Sequence, residues 1–250
     1  MPKNAKNRPP LTVGRHSISK KERKKKHAEQ KPGAASSAAQ GGASVYRAQA
    51  LTLLLGEGDF GFAAALALIW HDARNLVAST YDNEEAGRAK YSHLPDNVKT
   101  VESLGGNVLF GVDATKCGTH KKLKKGAGSF ERIVFNFPHV GTGMKDMARN
   151  VAQNQELMRS TFRSALPLLA PSGELHVTLK KGQPYDSWNI VTIAKMCGLA
   201  VRFCAPFAPG KYPGYAHRRN IGDEHAGDAS ARTPNAEIQG ARTYAFVAAQ

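Results

Sequence analysis

Cysteine is scarce in this 250-residue sequence: Cys117, Cys197 and Cys204 are the only three, and no two form a C-x-x-C pair. An odd number at such spacings supports neither a disulfide framework nor a Cys-rich zinc site, so no metal is expected and a reducing compartment fits best. Long apolar runs are missing too. The longest, Phe62 to Trp70, has nine residues, far short of the roughly 20 needed to span a bilayer, so no membrane segment is expected. Acidic residues are few: 20 Asp and Glu stand against 35 Lys and Arg, for a formal charge of +15 and a sequence pI near 9.9. What is plentiful is core material, since 41% hydrophobic residues exclude a wholly disordered chain.

The positive charge is concentrated at the start. Residues 1 to 31 carry eleven Lys and Arg against two acids. Such a field attracts polyanions through counterion release, so RNA or DNA is the natural partner, although a purely solubilising tail would show the same composition. The segment lacks the apolar stretch of a secretory signal and is Lys-rich rather than amphipathic and Arg-rich like a mitochondrial presequence. Lys20 to Lys26, which includes Lys24, Lys25 and Lys26, reads as a nuclear or nucleolar address or as an RNA-binding arm. Pro32 to Ser44 is a small-residue linker. The expected organisation is therefore a basic, disordered arm with its linker over residues 1–44 and one domain over 45–250.

From Val45 onward strands and helices alternate. Strands are expected at Leu51–Leu55, Leu76–Thr80, Val108–Val112, Arg132–Phe137, Glu174–Leu179, Leu199–Phe203 and Thr243–Val247. Helices are expected at Phe60–Trp70, Asn83–Tyr91, Val98–Leu104, Lys145–Leu169 (one long helix or a pair) and Ser187–Cys197, the last capped by Asp186 or Ser187 with Trp188 in the core. Gly222–Arg242 reads as a loop. This alternation means an α/β fold with a mostly parallel, doubly wound sheet, whose ligands bind beyond the carboxyl ends of the strands.

The first such end is Gly56-Glu57-Gly58-Asp59-Phe60-Gly61, formally a G-x-G-x-x-G turn, with Asp82 beyond strand two placed for a ribose. A nicotinamide or flavin enzyme would fit that match. Glu57 and Asp59 argue against it, because carboxylates inside the turn would repel a diphosphate by about 4 kcal/mol per contact at 4 Å and a dielectric near 20. S-adenosylmethionine has no phosphate and carries a sulfonium and an ammonium, so the same acids would attract it; alternatively both side chains point to solvent and cap the helix. Asp113 after strand three is a candidate for the adenine amino group, or a plain N-cap. After strand four, Asn136-Phe137-Pro138-His139 offers a stiffened turn and an aromatic face for holding a planar base, with His139 a candidate proton acceptor. Tyr212 and Tyr215 with Arg218 and Arg219 mix stacking rings and guanidiniums suited to RNA, or form a surface turn.

Taken in order, Leu54-Leu55-Gly56-Glu57-Gly58-Asp59-Phe60, Tyr81-Asp82, Gly111-Val112-Asp113-Ala114-Thr115, Phe135-Asn136-Phe137-Pro138-His139-Val140-Gly141, His176-Val177-Thr178-Leu179-Lys180 and Tyr212-Pro213-Gly214-Tyr215 resemble the eukaryotic large-subunit rRNA uridine-N3 methyltransferase-like family. The same domain also occurs beside ferredoxin-fold anticodon-binding modules. The resemblance implies a Rossmann-like, seven-stranded methyltransferase fold, S-adenosyl-L-methionine as cofactor, and a uridine of large-subunit rRNA or a pre-ribosome as substrate in the nucleolus. Family members often have Ser where Gly61 stands. The rival reading is a ribosome-assembly factor that binds RNA on the same fold without chemistry.

Overall fold

Strand β1 (Thr52–Leu55) is buried at all four positions, as the continuous apolar run of a central parallel strand requires. In the computed structural model, which describes residues 45–141, 143, 146–218 and 235–249, it lies between β2 (Leu76–Ser79) and β4 (Phe130–Asn136), parallel to both. Strand β3 (Asn107–Leu109) flanks β2, and β5 (Leu169–Leu179) flanks β4, again in parallel. The chain then reverses: β7 (Arg242–Ala248) pairs antiparallel with both β5 and the edge strand β6 (Leu199–Pro206). The order is β3-β2-β1-β4-β5-β7-β6. The chain separates into two units, Met1–Gly41 and Gly42–Gln250, and the sheet belongs to the second.

Alternation along the strands feeds two cores, one on each face. Leu53, Leu55, Ile133, Phe135 and Val177 pack against helices α4 (Met147–Ala165) and α5 (Ile190–Met196). Leu54, Ala78 and Val134 pack against α1 (Gly61–Trp70) and α3 (Leu94–Ser103), with α2 (Glu84–Lys90) nearby in sequence. Helices on both faces of a mostly parallel sheet make the expected Rossmann-like α/β architecture.

Several boundaries differ for local reasons. Helix α3 begins at Leu94, not Val98, because Pro95 sits in its first turn, where a missing N–H costs nothing. Strand β3 stops at Leu109, and Gly111 turns the chain at φ +68. The expected helix at Ser187–Cys197 is split: a 3₁₀ turn (Tyr185–Trp188) and α5 meet at Asn189, which is left-handed at φ 51. Neither Asp186 nor Ser187 caps α5; the Ser187 hydroxyl instead donates to Gln183 Oε1 at 2.6 Å. Trp188 is fully buried, as expected. Strand β5 starts five residues early, its first part pairing with Phe130 across a register shift. The expected loop at Gly222–Arg242 falls largely outside the described residues; within it Ala236–Ile238 is a 3₁₀ turn and Arg242 already belongs to β7.

Candidate active site

Gly56 ends β1 at φ +63, and a Cβ there would lie 2.3 Å from the Phe135 ring on β4. Only glycine lets the turn close this tightly over the neighbouring strand. The turn then feeds α1 through Phe60, itself left-handed and without a side-chain cap. Capping comes from the two acids instead. Asp59 Oδ1 accepts from Gly61 N–H at 2.9 Å, and Glu57 Oε2 accepts from Ala63 N–H at 3.1 Å. Both carboxyls are buried, so they cap the helix without pointing to solvent. A Cβ on Gly61, such as serine brings, would sit 3.0 Å from Asp59 Oδ1.

This arrangement changes the electrostatics expected of the turn. Burial pushes the Glu57 carboxyl up to about 8, the Asp59 charge adding to the rise while the Ala63 and Phe62 N–H groups oppose it. Glu57 is therefore largely neutral at pH 7 when no cation adjoins it. Asp59 Oδ2 lies 3.6 Å from Arg218 Nε. The lip is less negative than the sequence implies, yet it is no better a diphosphate cradle, since two of the N–H groups at the helix start already hold carboxyls.

Beyond the turn lies a cavity of about 370 Å³, lined among others by Gly56, Glu57, Gly58, Asp82, Asp113 and Phe137. Asp82 takes Lys90 Nζ at 2.7 and 2.8 Å on its two oxygens. Asp113 is an N-cap: its Oδ1 accepts from Thr115 N–H at 2.9 Å and from the Thr115 hydroxyl at 2.6 Å, leaving Oδ2 3.8 Å from Lys116 Nζ. Pro138 and His139 complete the wall beside Phe137. Two expected cofactor residues are not on it. Asp59 faces the other side of the turn, and Phe60 is fully buried, edge-on to Phe110 at 5.4 Å. Sequence reasoning missed Lys90, Tyr91 and Leu157 in this wall; Tyr91 lies beneath Gly58, whose Cβ would be 3.3 Å from its ring. Tyr81, 72% exposed at the rim, carried a signal in standing directly before Asp82.

At the end of β4, Asn136 Oδ1 accepts from Thr178 Oγ1 at 2.7 Å, while its Nδ2 is buried and has no partner among the described residues. Phe137 is left-handed at φ 51, its N–H donates to Thr178 O at 2.8 Å, and its ring meets Phe207 at 5.5 Å and His217 at 4.5 Å. These two residues face a small second cavity of about 40 Å³, which shares Gly56, Glu57, Gly58 and Phe137 with the first. His139 does not suit the expected proton-accepting role. Its Nδ1 accepts from Gly141 N–H at 2.9 Å, so the neutral ring carries its proton on Nε2, and burial followed by the Lys180 charge lowers its pKa.

The expected RNA contacts are redistributed. Tyr212 is buried, stacked on Phe207 at 5.7 Å and edge-on to Phe62 at 4.7 Å, and Tyr215 meets Phe62 edge-on at 5.4 Å. The Tyr212 ring is thus packed into the cluster over α1, while Tyr215 also lines the second cavity. Arg218 turns inward to Asp59. Arg219 and Lys24, Lys25 and Lys26 lie outside the described residues.

Residues 53–219 match the family model described as BMT5-like, rRNA (uridine-N3-)-methyltransferase BTM5-like. The chain is 37% identical over 171 residues to the heavy metal-associated isoprenylated plant protein 41 of Arabidopsis thaliana, covering 68% of this chain but 33% of that protein. An uncharacterized protein of the same plant is 32% identical over 179 residues, covering 70% of this chain and 85% of the relative. The 25S rRNA (uridine(2634)-N(3))-methyltransferase of Saccharomyces cerevisiae is 29% identical over 245 residues, with 78% and 71% covered. The chain thus spans about a third of the first relative's length and most of the other two. Since the matched stretch runs from β1 past the Tyr215 turn and includes every wall of both cavities, the chain belongs to the BMT5-like family of rRNA (uridine-N3-)-methyltransferases.

Proposed function

We propose that this chain methylates N3 of a uridine in large-subunit rRNA, with S-adenosylmethionine as donor. The observation that carries the reading is the pair of cavities meeting at Gly56–Gly58 and Phe137, one of a size for a cofactor and one for the edge of a base. The donor set fits that cofactor better than a dinucleotide. The N–H groups of Gly61 and Ala63 are already occupied, and a cation next to Glu57 would offset the burial that keeps its carboxyl protonated.

When bound, S-adenosylmethionine supplies an electrophilic methyl group on a sulfonium. Around it Gly56, Glu57 and Gly58 would adjoin the methionine part, Asp82 would use its remaining lone pairs for ribose hydroxyls, and Asp113 Oδ2 would face the adenine amino group. Asp59 and Phe60 act by shaping the turn. Asn136, Phe137 and Pro138 would hold the base edge, so that the chain's chief contribution is proximity and orientation. His139 would help fix the loop after β4 rather than take a proton.

The basic arm, with its Lys24, Lys25 and Lys26, would grip phosphates of rRNA or a pre-ribosome and direct the protein to the nucleus and nucleolus. Arg219 would join that grip. Primer extension on rRNA from cells with and without the gene tests the reading, because a methyl on N3 blocks the pairing edge and stops reverse transcriptase. Loss of one stop in the deleted strain is expected. An unchanged stop pattern with defective subunit maturation would instead favour the assembly factor without chemistry.

A further inference from the structure

Within the block His176 to Lys180, Thr178 sits at the centre of a row of polar side chains crossing three strands. Asn136 on β4, Thr178 on β5 and Thr243 on β7 are direct partners in the ladder. Thr178 Oγ1 lies 2.7 Å from Asn136 Oδ1 and 2.9 Å from Thr243 Oγ1. A hydroxyl has one hydrogen to give. That of Thr178 goes to Asn136 Oδ1, so the Thr243 hydroxyl must donate to Thr178. The row has a direction, Thr243 to Thr178 to Asn136, and it turns the amide oxygen of Asn136 into the sheet.

The other end of that amide is what remains for the cavity. Asn136 lines the second cavity, and its Nδ2 is buried without a partner among the described residues. Buried donors are nearly always satisfied, so one left open beside a cavity asks for an acceptor from outside the chain. Thr178 is fully buried and Thr243 nearly so, which leaves water little access to compete for the row.

We propose that Thr178 and Thr243 are positioning residues that fix Asn136 as a pure donor, and that this donor reads C4 beside the nitrogen to be methylated, selecting a base that carries a carbonyl rather than an amino group there. The inference rests on reading the site as a base pocket. Uracil N3 is flanked by two carbonyl oxygens. In cytosine one of those flanks is an amino group, which would meet the Asn136 NH₂ donor to donor. A site built to hydrogen-bond one partner rejects the analogue that leaves its buried group unpaired.

The test uses the full-length chain labelled with ¹⁵N, an RNA hairpin carrying uridine at the target position, and its cytidine counterpart. The Asn136 side-chain amide signal should shift with the uridine hairpin and stay in place with the cytidine one. Thr178→Val should reduce the uridine-over-cytidine preference in binding and in kcat/KM by about tenfold or more, while S-adenosylmethionine affinity holds. Thr178→Ser, which keeps the hydroxyl, should restore it, and Thr243→Val should give a smaller loss. If methyl transfer is absent yet the amide still discriminates the hairpins and loses that with Thr178→Val, the reaction assignment fails and the row stands. If the amide ignores the uridine hairpin, or if Thr178→Val keeps the preference within twofold, the row is structural and the inference is overturned.

Discussion

Strand β5 buries polar groups on one face both at its middle and near its carboxyl end, and treats them in opposite ways. At the middle of the strand Glu174 and His176 are closed on themselves. His176 Nε2 lies 2.8 Å from Glu174 Oε2 and its Nδ1 3.3 Å from the Tyr46 hydroxyl, while Glu174 Oε1 meets Arg202 at 3.0 Å and Arg132 at 3.5 Å. At the carboxyl end the Thr178 row stops at Asn136 with a donor unused. A saturated network binds β4, β5, β6 and the Tyr46 segment together; an unsaturated one is where a ligand can be read. In an open α/β sheet that open end is also the end at which ligands bind.

The largest expected effect tests the ligand side of this contrast. Gly58→Arg places a long cationic side chain into the larger cavity beside Tyr91, and S-adenosylmethionine affinity should fall by at least about a hundredfold, some 3 kcal/mol by calorimetry. The melting temperature should move little, since Gly58 has an ordinary backbone conformation.

Breaking the saturated network should do the reverse. Glu174→Ala leaves Arg132 and His176 without their buried partner and should cost about 3 kcal/mol in denaturant unfolding, with cofactor affinity of the folded fraction unchanged. A loss of binding with stability intact would erase the distinction between the two networks.

The pH dependence of stability separates the His176 network on β5 from the turn after β1 by sign. Burial lowers the His176 pKa, with Glu174 opposing. The unfolded chain therefore takes up this proton first, and stability on this account falls as pH drops below about 6.5. Glu57 behaves oppositely: its folded value of about 8 exceeds the ordinary 4.5, so the folded state holds the extra proton and stability falls as pH rises from about 4.5 to 8. Glu57→Gln should remove that slope and stabilise the fold at pH 8 by on the order of 3 kcal/mol, read as a higher urea midpoint. The smallest effect concerns the aromatic cluster over α1. Tyr212→Phe should change both stability and RNA affinity by less than about 1 kcal/mol, whereas Tyr212→Ala should cost about 3 kcal/mol of stability through the lost packing.

Much of this arrangement was legible in the sequence. The apolar runs of β1, β2 and β4 end at turns that bring Gly56, Asp82 and Asn136 to one edge, and their shortness and flanking turn residues mark them as buried parallel strands, unlike the longer apolar run of α1. The helix break at Asn189 was hidden because a left-handed asparagine leaves no pattern in hydrophobic periodicity. The burial of Tyr212 against Phe207 is not legible, because an aromatic ring beside arginines looks the same in sequence whether it stacks on a base or on Phe207. Asp113 was readable both as cap and as ligand, and the geometry makes it a cap with one oxygen left over. The Thr178 row escaped altogether: it joins positions 42 and 65 residues apart, and only the placement of β7 between β5 and β6 brings Thr243 beside Thr178.

The central claim is that the β1 turn is made for a cation and not for a diphosphate. Calorimetric titration of the full-length chain at pH 6.5 and pH 8.5, with Glu57→Gln as the control for the ligand's own ionisation, tests it most directly. The account expects S-adenosylmethionine to bind more tightly at the higher pH in the natural chain, and with no such gain in the variant, because the Glu57 carboxyl loses its proton to solvent and the carboxylate then pairs with the cationic ligand. Tight binding of NADH with no heat from S-adenosylmethionine at either pH would contradict it.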